Sequence, residues 1–241
     1  MRTTALPSML DILSRNSAYQ NRSAKLYELA KVYLPREGEV LPEEPKYLVL
    51  GAYGVGETFF TLKGELEAIF SGLRMPKAVY TAVSDNPTYH PGRCASVTVG
   101  GVPVGYIGQI HPLVVGNYGM DCEIYCAEIN FTKLFALQLP EATYVPLPKY
   151  PSVTRDLSVV CDESVTVAQA EDVITGAAGK LLRNVKLFDI YRGTGIGEGK
   201  KSMAFSLELR ADDRTLTDAD SEKVISKVLR ELAEKTGATL R

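Results

Sequence analysis

The chain has 241 residues, 45% of them hydrophobic and 23% charged, with a formal net charge of −2 at pH 7. This composition is ordinary for a soluble globular protein, and the length favours two domains over one. The net charge excludes a globally basic protein, so a polyanion-binding surface must be local. No apolar run approaches the roughly 20 residues that span a bilayer, and the N-terminus lacks the apolar core of a signal peptide.

The first half alternates helical and strand-like patterns. Apolar residues at helical spacing predict helices at Leu6–Asn16 and Leu62–Leu73. Short apolar runs of strand length predict strands at Lys46–Gly54, Ala78–Val83 and Met120–Phe131. The pattern indicates a mixed, largely antiparallel sheet with a few helices.

Three other stretches of this half differ in how clearly they can be interpreted. Gly92–Ile110 has a Gly-Gly pair between two alternating runs, which predicts a β-hairpin. Leu26–Leu34 fits a strand and a helix equally well, so both remain open. Phe131–Leu139 predicts the start of a helix before Pro140.

The highest proline density of the chain lies in Leu139–Pro151, which contains Pro140, Pro146, Pro148 and Pro151. Proline-rich connections are stiff and poor in regular structure. We therefore predict a domain boundary here, with one domain at residues 1–140 and another at residues 148–241.

The second domain has a complete succession of elements. Asp156–Cys161 predicts a strand, and Thr166 with Gln169 predicts a capping box that begins a helix. Val185–Leu209 predicts a hairpin with a glycine-rich loop. A second helix begins at Thr217, and Ala238–Arg241 is long enough for an edge strand. The order βαββαβ predicts a ferredoxin-like sandwich, and the whole chain belongs to the α+β class.

Polar residues gather at the glycine-rich end of this hairpin: Tyr191, Arg192, Lys200 and Lys201. A stackable ring beside cations suits unstacked bases and phosphates. The alternative is a solvated loop with a tyrosine packed against the sheet.

The sequence contains no recognisable catalytic or metal-binding set. The two histidines, His90 and His111, each precede a proline, which indicates turns that satisfy the imidazole locally. The four cysteines match no zinc-binding pattern and are interpreted as buried or half-buried free thiols of a reducing cytoplasm. Cys122 and Cys126 are expected on one face of a strand. We therefore predict no catalytic residue and no metal site.

Three ordered motifs lie in the predicted βαββαβ domain, at Pro151–Val160, Leu187–Arg210 and Asp213–Asp220. They closely resemble the ferredoxin-fold anticodon-binding domain of bacterial phenylalanyl-tRNA synthetase β subunits. Upstream motifs resemble the class II synthetase-like core module of the same subunit: RTTALPSMLDILSRN (Arg2–Asn16), HPGRCASV (His90–Val97) and GYIGQIHP (Gly105–Pro112). The resemblance covers nearly the whole chain.

The resemblance implies a cytoplasmic, heterotetrameric (αβ)₂ enzyme in which the α subunit binds ATP and phenylalanine and contains the class II aminoacylation site. ATP and Mg²⁺ are then expected in the assembled enzyme and no cofactor in this fragment. The β core module keeps the class II fold without its active site and contributes to subunit contacts. Arg93 of the HPGR motif is accordingly expected to be structural or interfacial.

Family members are far longer, with an editing domain and further tRNA-binding modules upstream. The chain therefore resembles a C-terminal fragment, which we expect to be catalytically inactive alone and to lack editing.

The resemblance also implies that the hairpin end docks on the anticodon stem-loop of tRNA(Phe). Tyr191 would then stack or pack near a splayed base, while Arg192, Lys200 and Lys201 meet phosphates. Neighbouring contacts are expected from Arg155 and Arg210. For Arg155, an internal ion pair with Asp156 is an equally open alternative.

Two other classes of function remain open. The chain would act chiefly as a protein-interaction module if residues 1–147 dock on an α subunit. The βαββαβ domain would otherwise be a small-molecule regulatory module, because this fold hosts many functions.

Overall fold

A computed structural model describes all residues 1–241 and divides into two compact units. Unit 1 comprises Met1–Ala142 and unit 2 comprises Thr143–Arg241. The division lies within the proline-rich stretch, where residues 138–152 form neither helix nor strand. No helix is long and apolar enough to cross a membrane.

Unit 1 is built on an antiparallel sheet of six strands in the order β1-β2-β6-β5-β4-β3. The strands are β1 (Ala24–Lys31), β2 (Lys46–Tyr53), β3 (Ala78–Ala82), β4 (Tyr89–Val99), β5 (Val102–Ile110) and β6 (Ile124–Asn130). Gly100 and Gly101 have positive φ values between β4 and β5, which confirms the Gly-Gly hairpin.

Helices cover both faces of this sheet. They are α1 (Leu6–Ala18), α2 (Phe59–Gly72), α3 (Pro112–Asn117) and α4 (Phe131–Phe135). One core cluster packs α1 against Val49 and its neighbours, and a second packs α2 against Leu48 and Leu50. Because successive strand residues point to opposite faces, β2 is buried on both sides, as its continuous apolar run predicts.

The ambiguous stretch Leu26–Leu34 is a strand as far as Lys31, and Leu34 forms an isolated bridge with Glu43. β1 pairs antiparallel with β2 along its whole length, from Ala24 opposite Tyr53 to Lys31 opposite Lys46. The backbone N–H and C=O groups of β2 pair with those of this segment. Local periodicity carries no information about that distant partner.

Two features of unit 1 differ from the sequence-based interpretation. The short helix α3 was not predicted; His111 caps it, since its Nδ1 accepts a hydrogen bond from the Leu113 N–H at 3.2 Å. Cys122 precedes β6 and is exposed, so it does not share a strand face with buried Cys126.

Unit 2 has the predicted βαββαβ order. Its elements are β7 (Val153–Asp162), α5 (Val167–Ala178), β8 (Leu182–Tyr191), β9 (Lys200–Leu209), α6 (Asp218–Thr236) and β10 (Thr239–Leu240), with one 3₁₀ turn at Gly179–Leu181. The four strands form an antiparallel sheet in the order β10-β7-β9-β8. This arrangement confirms the ferredoxin-like sandwich.

Local signals begin and end the two long helices of unit 2. Thr166 with Gln169 and Thr217 with Asp220 both form complete capping boxes. Gly237 ends α6 in the left-handed conformation, with φ of 65°.

The helices of unit 2 cover only one face of its sheet. Met203, Phe205 and Leu207 of β9 are 0% exposed and pack in one cluster with α5 and α6. The alternate residues Ser202, Ala204 and Ser206 must therefore point to the other side of the sheet. We call that side the open face of unit 2.

Candidate nucleic-acid interface

The hairpin of β8 and β9 brings an aromatic ring to one end of the open face. Tyr191 is the last residue of β8 and pairs with Ser202, so both side chains share that face. The connecting loop turns through Gly195, Gly197 and Gly199, whose φ values of 101°, 88° and 73° exclude most other residues. The strand register and the loop together determine where the Tyr191 ring lies.

The Tyr191 side chain is held at its hydroxyl end while the residue stays 37% exposed. Its hydroxyl donates to the Thr194 carbonyl oxygen at 3.5 Å, a long hydrogen bond. A Cβ added at Gly193 would lie 2.6 Å from that hydroxyl oxygen, so the missing side chain of Gly193 makes the close approach possible. The ring is therefore partly exposed and restrained in position.

Arg192 lies beside this ring in an ion pair at the sheet end. Its Nε and Nη2 atoms donate to Oε1 of Glu163 at 3.0 and 2.8 Å. The hydrogen bond from Arg192 lowers the pKa of Glu163 below its ordinary value, so the carboxylate is charged at neutral pH. Both side chains are about half exposed, and the pair leaves part of the guanidinium at the surface.

Lys200 and Lys201 are neighbours in sequence and point to opposite sides of the sheet. Lys200 has the same parity as Ser202, lies on the open face and is exposed. Lys201 is 7% exposed, and its Nζ donates to the Glu163 carbonyl oxygen at 2.8 Å. The expected phosphate contact of Lys201 is therefore not supported by its position, because alternation along the strand turns its ammonium group inward.

Arg155 does not join this group. It pairs with Leu207 in the register of β7 and β9, which places it on the helix-covered side. Its Nη2 bonds Asp218 Oδ1 at 2.5 Å and Ser221 Oγ at 3.1 Å, which ties β7 to the start of α6. Arg155 does form an ion pair within the protein, as one of the two alternatives predicted, but its partner is Asp218 and not Asp156. Asp156 points to the opposite face.

Arg210 also lies apart from the ring. It follows the last residue of β9, at the end of that strand away from Lys200. Ten residues of extended chain separate the two cations by about 30 Å. Its backbone N–H donates to the Leu181 carbonyl oxygen at 2.8 Å, so the residue closes the far end of the sheet.

Sequence reasoning overlooked two residues of the open face. Asp189 pairs with Ala204 and is exposed two positions before Tyr191, and the period of two in β8 was a signal for it. Arg241 places its guanidinium carbon 5.1 Å from the Tyr191 ring centroid. No local pattern links residues 191 and 241, because the sheet brings them together.

A separate polar cluster in unit 1 contains Arg93 of the HPGR motif. Arg93 Nη1 donates to Gln109 Oε1 at 2.6 Å and to Glu123 Oε1 at 2.8 Å. The hydroxyl of Tyr125 donates to the same carboxylate at 2.6 Å, and this bond, followed by that from Arg93, lowers the pKa of Glu123. Arg93 thus takes part in a network that joins three strands.

The histidines and acidic groups form no ligand set. His90 Nδ1 accepts a hydrogen bond from the Gly92 N–H at 3.1 Å, and His111 accepts one in the same way, so each imidazole is satisfied locally as predicted. The predicted turn is not seen at His90, which lies within β4, whereas His111 caps α3. No group of three or more His, Cys, Asp or Glu side chains is arranged to hold a metal ion.

Two family models match the two units. Residues 1–131 match the phenylalanyl tRNA synthetase beta chain CLM domain, and residues 148–241 match the ferredoxin-fold anticodon binding domain. Residues 132–147, which include Pro140 and Pro146 of the proline-rich stretch, lie between the two matched ranges.

Curated relatives match the whole chain. The phenylalanine–tRNA ligase beta subunit of Clostridium tetani is 45% identical over 242 residues, and that of Clostridium acetobutylicum is 40% identical over 242 residues. The beta subunit of Bacillus subtilis is 37% identical over 252 residues. Each match covers 100% of this chain and 30–31% of the relative, so the chain spans about 30% of the length of these relatives. The chain belongs to the phenylalanyl-tRNA synthetase beta-chain family, with a CLM domain followed by a ferredoxin-fold anticodon-binding domain.

Proposed function

We propose that unit 2 binds the anticodon stem-loop of tRNA(Phe) through the ring end of the open face. The observation on which this rests is an exposed, restrained Tyr191 ring beside Arg192 and Lys200, in a domain that matches an anticodon-binding model. Tyr191 stacks on a splayed base, while Arg192 and Lys200 contact phosphates. Arg155, Lys201 and Arg210 act in this scheme by holding the fold together.

The mixed charge of the open face supports recognition of a loop over non-specific adhesion to RNA. Lys200 lies at the loop end of this face opposite Asp162, and Arg192 is paired with Glu163 beside it, while the carboxylates of Asp156 and Asp189 lie further along the face. A polyanion that covered the whole face would meet these carboxylates. A short loop at the ring end meets Asp162 beside Lys200 but does not reach Asp156 and Asp189.

Titration of the chain with tRNA(Phe) and with a non-cognate tRNA, at low and moderate salt, tests this proposal. We expect salt-sensitive binding that prefers tRNA(Phe). Lys200→Ala should weaken it and reduce the salt slope by roughly 0.7, the value for one phosphate of a single strand. Tyr191→Ala should weaken it at every salt concentration.

Lys223→Ala is the matched control, because Lys223 is an exposed lysine of α6 on the helix side of unit 2. Equal losses for Lys200→Ala and Lys223→Ala would mean diffuse electrostatic attraction without a defined surface. An unchanged affinity of Tyr191→Ala would contradict the stacking role.

We further propose that unit 1 contacts the α subunit of a phenylalanine–tRNA ligase in the cytoplasm. The assembled (αβ)₂ enzyme would use ATP and Mg²⁺ to charge tRNA(Phe), and this chain would contribute no catalytic group. The relatives are beta subunits by name, which implies another subunit. Arg93 is already engaged by Gln109 and Glu123, which favours a structural role.

An apolar groove of about 440 Å³ between β1 and α2 supports the contact with a partner chain. Tyr27 and Leu29 of β1 line it and are 77% and 49% exposed. β1 is also an edge strand whose outer backbone groups lack a strand partner. Exposed apolar side chains beside a free edge are typical of interaction sites.

Capture of the chain by a tagged α subunit tests this second proposal. We expect Tyr27→Asp with Leu29→Asp to abolish capture. Tyr144→Asp, which alters an equally exposed tyrosine of the proline-rich stretch, should leave it intact. Normal capture of the Tyr27/Leu29 double variant would place the contact elsewhere.

A further inference from the structure

The guanidinium of Arg241 lies over the ring of Tyr191, with its central carbon 5.1 Å from the ring centroid. The two residues are distant in sequence. Tyr191 is the last residue of β8, one outer strand of the sheet, and Arg241 directly follows β10, the other outer strand, with β7 and β9 between them. The Arg241 side chain therefore crosses the open face to reach the ring.

The backbone of Arg241 is fixed although its side chain is exposed. β10 pairs with β7 through Thr239 opposite Val160, and the Arg241 N–H donates to the Ser158 carbonyl oxygen at 3.0 Å. These bonds anchor the start of the side chain on the sheet. Its long, flexible stem leaves the guanidinium free to move above that anchor.

The floor beneath this contact is made of small side chains. Ser158, Val160, Ser202 and Ala204 lie on the central strands between the two partners, and the largest of them is the short, branched side chain of Val160. A flat ligand could therefore lie between ring and guanidinium without meeting a bulky residue from below.

The observed separation is too short for a base between the two groups. A base with one partner on each side needs about 7 Å between ring and guanidinium, which is twice the optimal contact distance of carbon atoms. Since the hydroxyl of Tyr191 is held by Thr194 and Gly193 lies against it, the ring is the fixed wall. Arg241 must be the group that moves.

We propose that Tyr191 and Arg241 are the two walls of a slot that accepts one unstacked base. In the free protein Arg241 covers the ring, and in the complex it moves outward by about 2 Å, from 5.1 Å to about 7 Å, and stacks on the far side of the base. The inference rests on the proposed binding of an RNA loop by the open face. It adds a residue for which the sequence pattern suggested no role.

The planar guanidinium is what distinguishes this role from simple attraction of phosphates. Arginine stacks on aromatic planes and bases, whereas lysine offers only a compact charge. Arg241→Lys therefore keeps the charge and removes the flat wall. Arg241→Ala removes both.

Binding of the anticodon stem-loop of tRNA(Phe) to the full chain tests the slot. We expect Arg241→Lys to weaken binding roughly 2- to 5-fold, the range of an exposed cation–π contact, with the salt slope unchanged. Arg241→Ala should weaken binding further, because it removes the charge as well as the flat wall. Thermal unfolding of both variants should match that of the parent, because the side chain is exposed.

A fluorescent reporter gives a second readout. The chain contains no tryptophan, so Tyr191→Trp introduces a single indole at the fixed wall. Addition of the stem-loop should quench this indole, and Arg241→Lys in the same background should reduce both the quenching and the affinity.

Two results would overturn the slot while leaving the proposed function in place. If Arg241→Lys binds as the parent does, Arg241 contributes charge only. If Arg241→Ala binds more tightly, Arg241 merely covers the ring and is displaced. In both cases Tyr191→Ala would still bind weakly; normal binding by Tyr191→Ala would instead contradict the proposed function itself.

Discussion

The two units differ in how many faces of their sheets are covered. In unit 1, separate apolar clusters lie on the two faces of the sheet, under α1 on one side and α2 on the other. In unit 2, α5 and α6 lie on one side, and the open face meets solvent. A sheet buried on both sides has no broad polar face for a ligand, whereas a one-sided sheet presents its alternate residues.

The same difference is visible in the sequences of the central strands. β2 is apolar at almost every position, and six of its eight residues are buried. β9 alternates Met203, Phe205 and Leu207 with Ser202, Ala204 and Ser206. The alternation is typical of a sheet covered on one side, and the continuous run is typical of a sheet covered on both.

The largest expected effect is on the covered side of unit 2. Phe205→Ala should lower the free energy of unfolding of this unit by about 3–5 kcal/mol, because Phe205 is fully buried. Ser206→Ala, one residue further on the open face, should change it by less than about 0.5 kcal/mol. Urea denaturation followed by far-UV circular dichroism measures the free energy of unfolding of both variants. Similar losses of stability for the two would show that Ser206 is packed as tightly as Phe205, which would contradict a solvent-facing side of the sheet.

Neighbouring substitutions in unit 1 should behave differently. Val49→Ala and Leu50→Ala lie on opposite faces of β2 and are both buried, at 0% and 6% exposure. Leu50→Ala should cost about 2–5 kcal/mol and Val49→Ala about 2 kcal/mol, from lost methyl groups and the resulting cavity. A neutral result for either variant in the same denaturation experiment would contradict burial on two sides.

Loss of a helix cap should have a smaller effect. Thr217→Ala removes the side-chain oxygen that accepts the Asp220 N–H, and should destabilise unit 2 by about 1 kcal/mol. Thr215→Ala is the control, because Thr215 is an exposed threonine before the cap. Thermal unfolding compares them; equal melting temperatures for the two variants would mean that α6 does not depend on its capping box.

The smallest effect is the titration of Glu163 at the end of the open face. Arg192 lowers the pKa of Glu163 below 4.5, so the pair stabilises the fold above that pH and loses this contribution as pH falls through the lowered pKa. Arg192→Ala should return the pKa towards 4.5, and NMR titration of the Glu163 carboxyl measures it. The change in stability should be slight because both groups are exposed. An unaltered titration midpoint in the variant would mean that Arg192 is not the cause.

Much of the fold could be predicted because its signals are local. The capping boxes at Thr166 and Thr217 lie within four residues, and the Gly100–Gly101 turn and the glycine-rich loop of unit 2 identify hairpins through the φ values they permit. The strand at Leu26–Leu34 could not be distinguished from a helix, because its backbone partners belong to β2.

The candidate site shows the limit of the same reasoning. The hairpin pattern correctly grouped Tyr191, Arg192 and Lys200 at one end of the sheet, since all three lie near one turn. The resemblance left a tRNA contact and an ion pair with Asp156 open for Arg155, whose partner is Asp218, 63 residues away. Neither the hairpin pattern nor the resemblance indicated Arg241.

By itself, the sequence determined the succession of elements, the alternation that leaves one face of unit 2 free of large apolar groups, and the family to which the chain belongs. Only the tertiary structure decided which partners the cations of unit 2 have. It brought the Glu163 carbonyl oxygen to Lys201, and it brought Arg241 across the sheet to Tyr191. The physical reason is that strand pairing joins residues at any sequence separation, while propensity and spacing act only over a few residues.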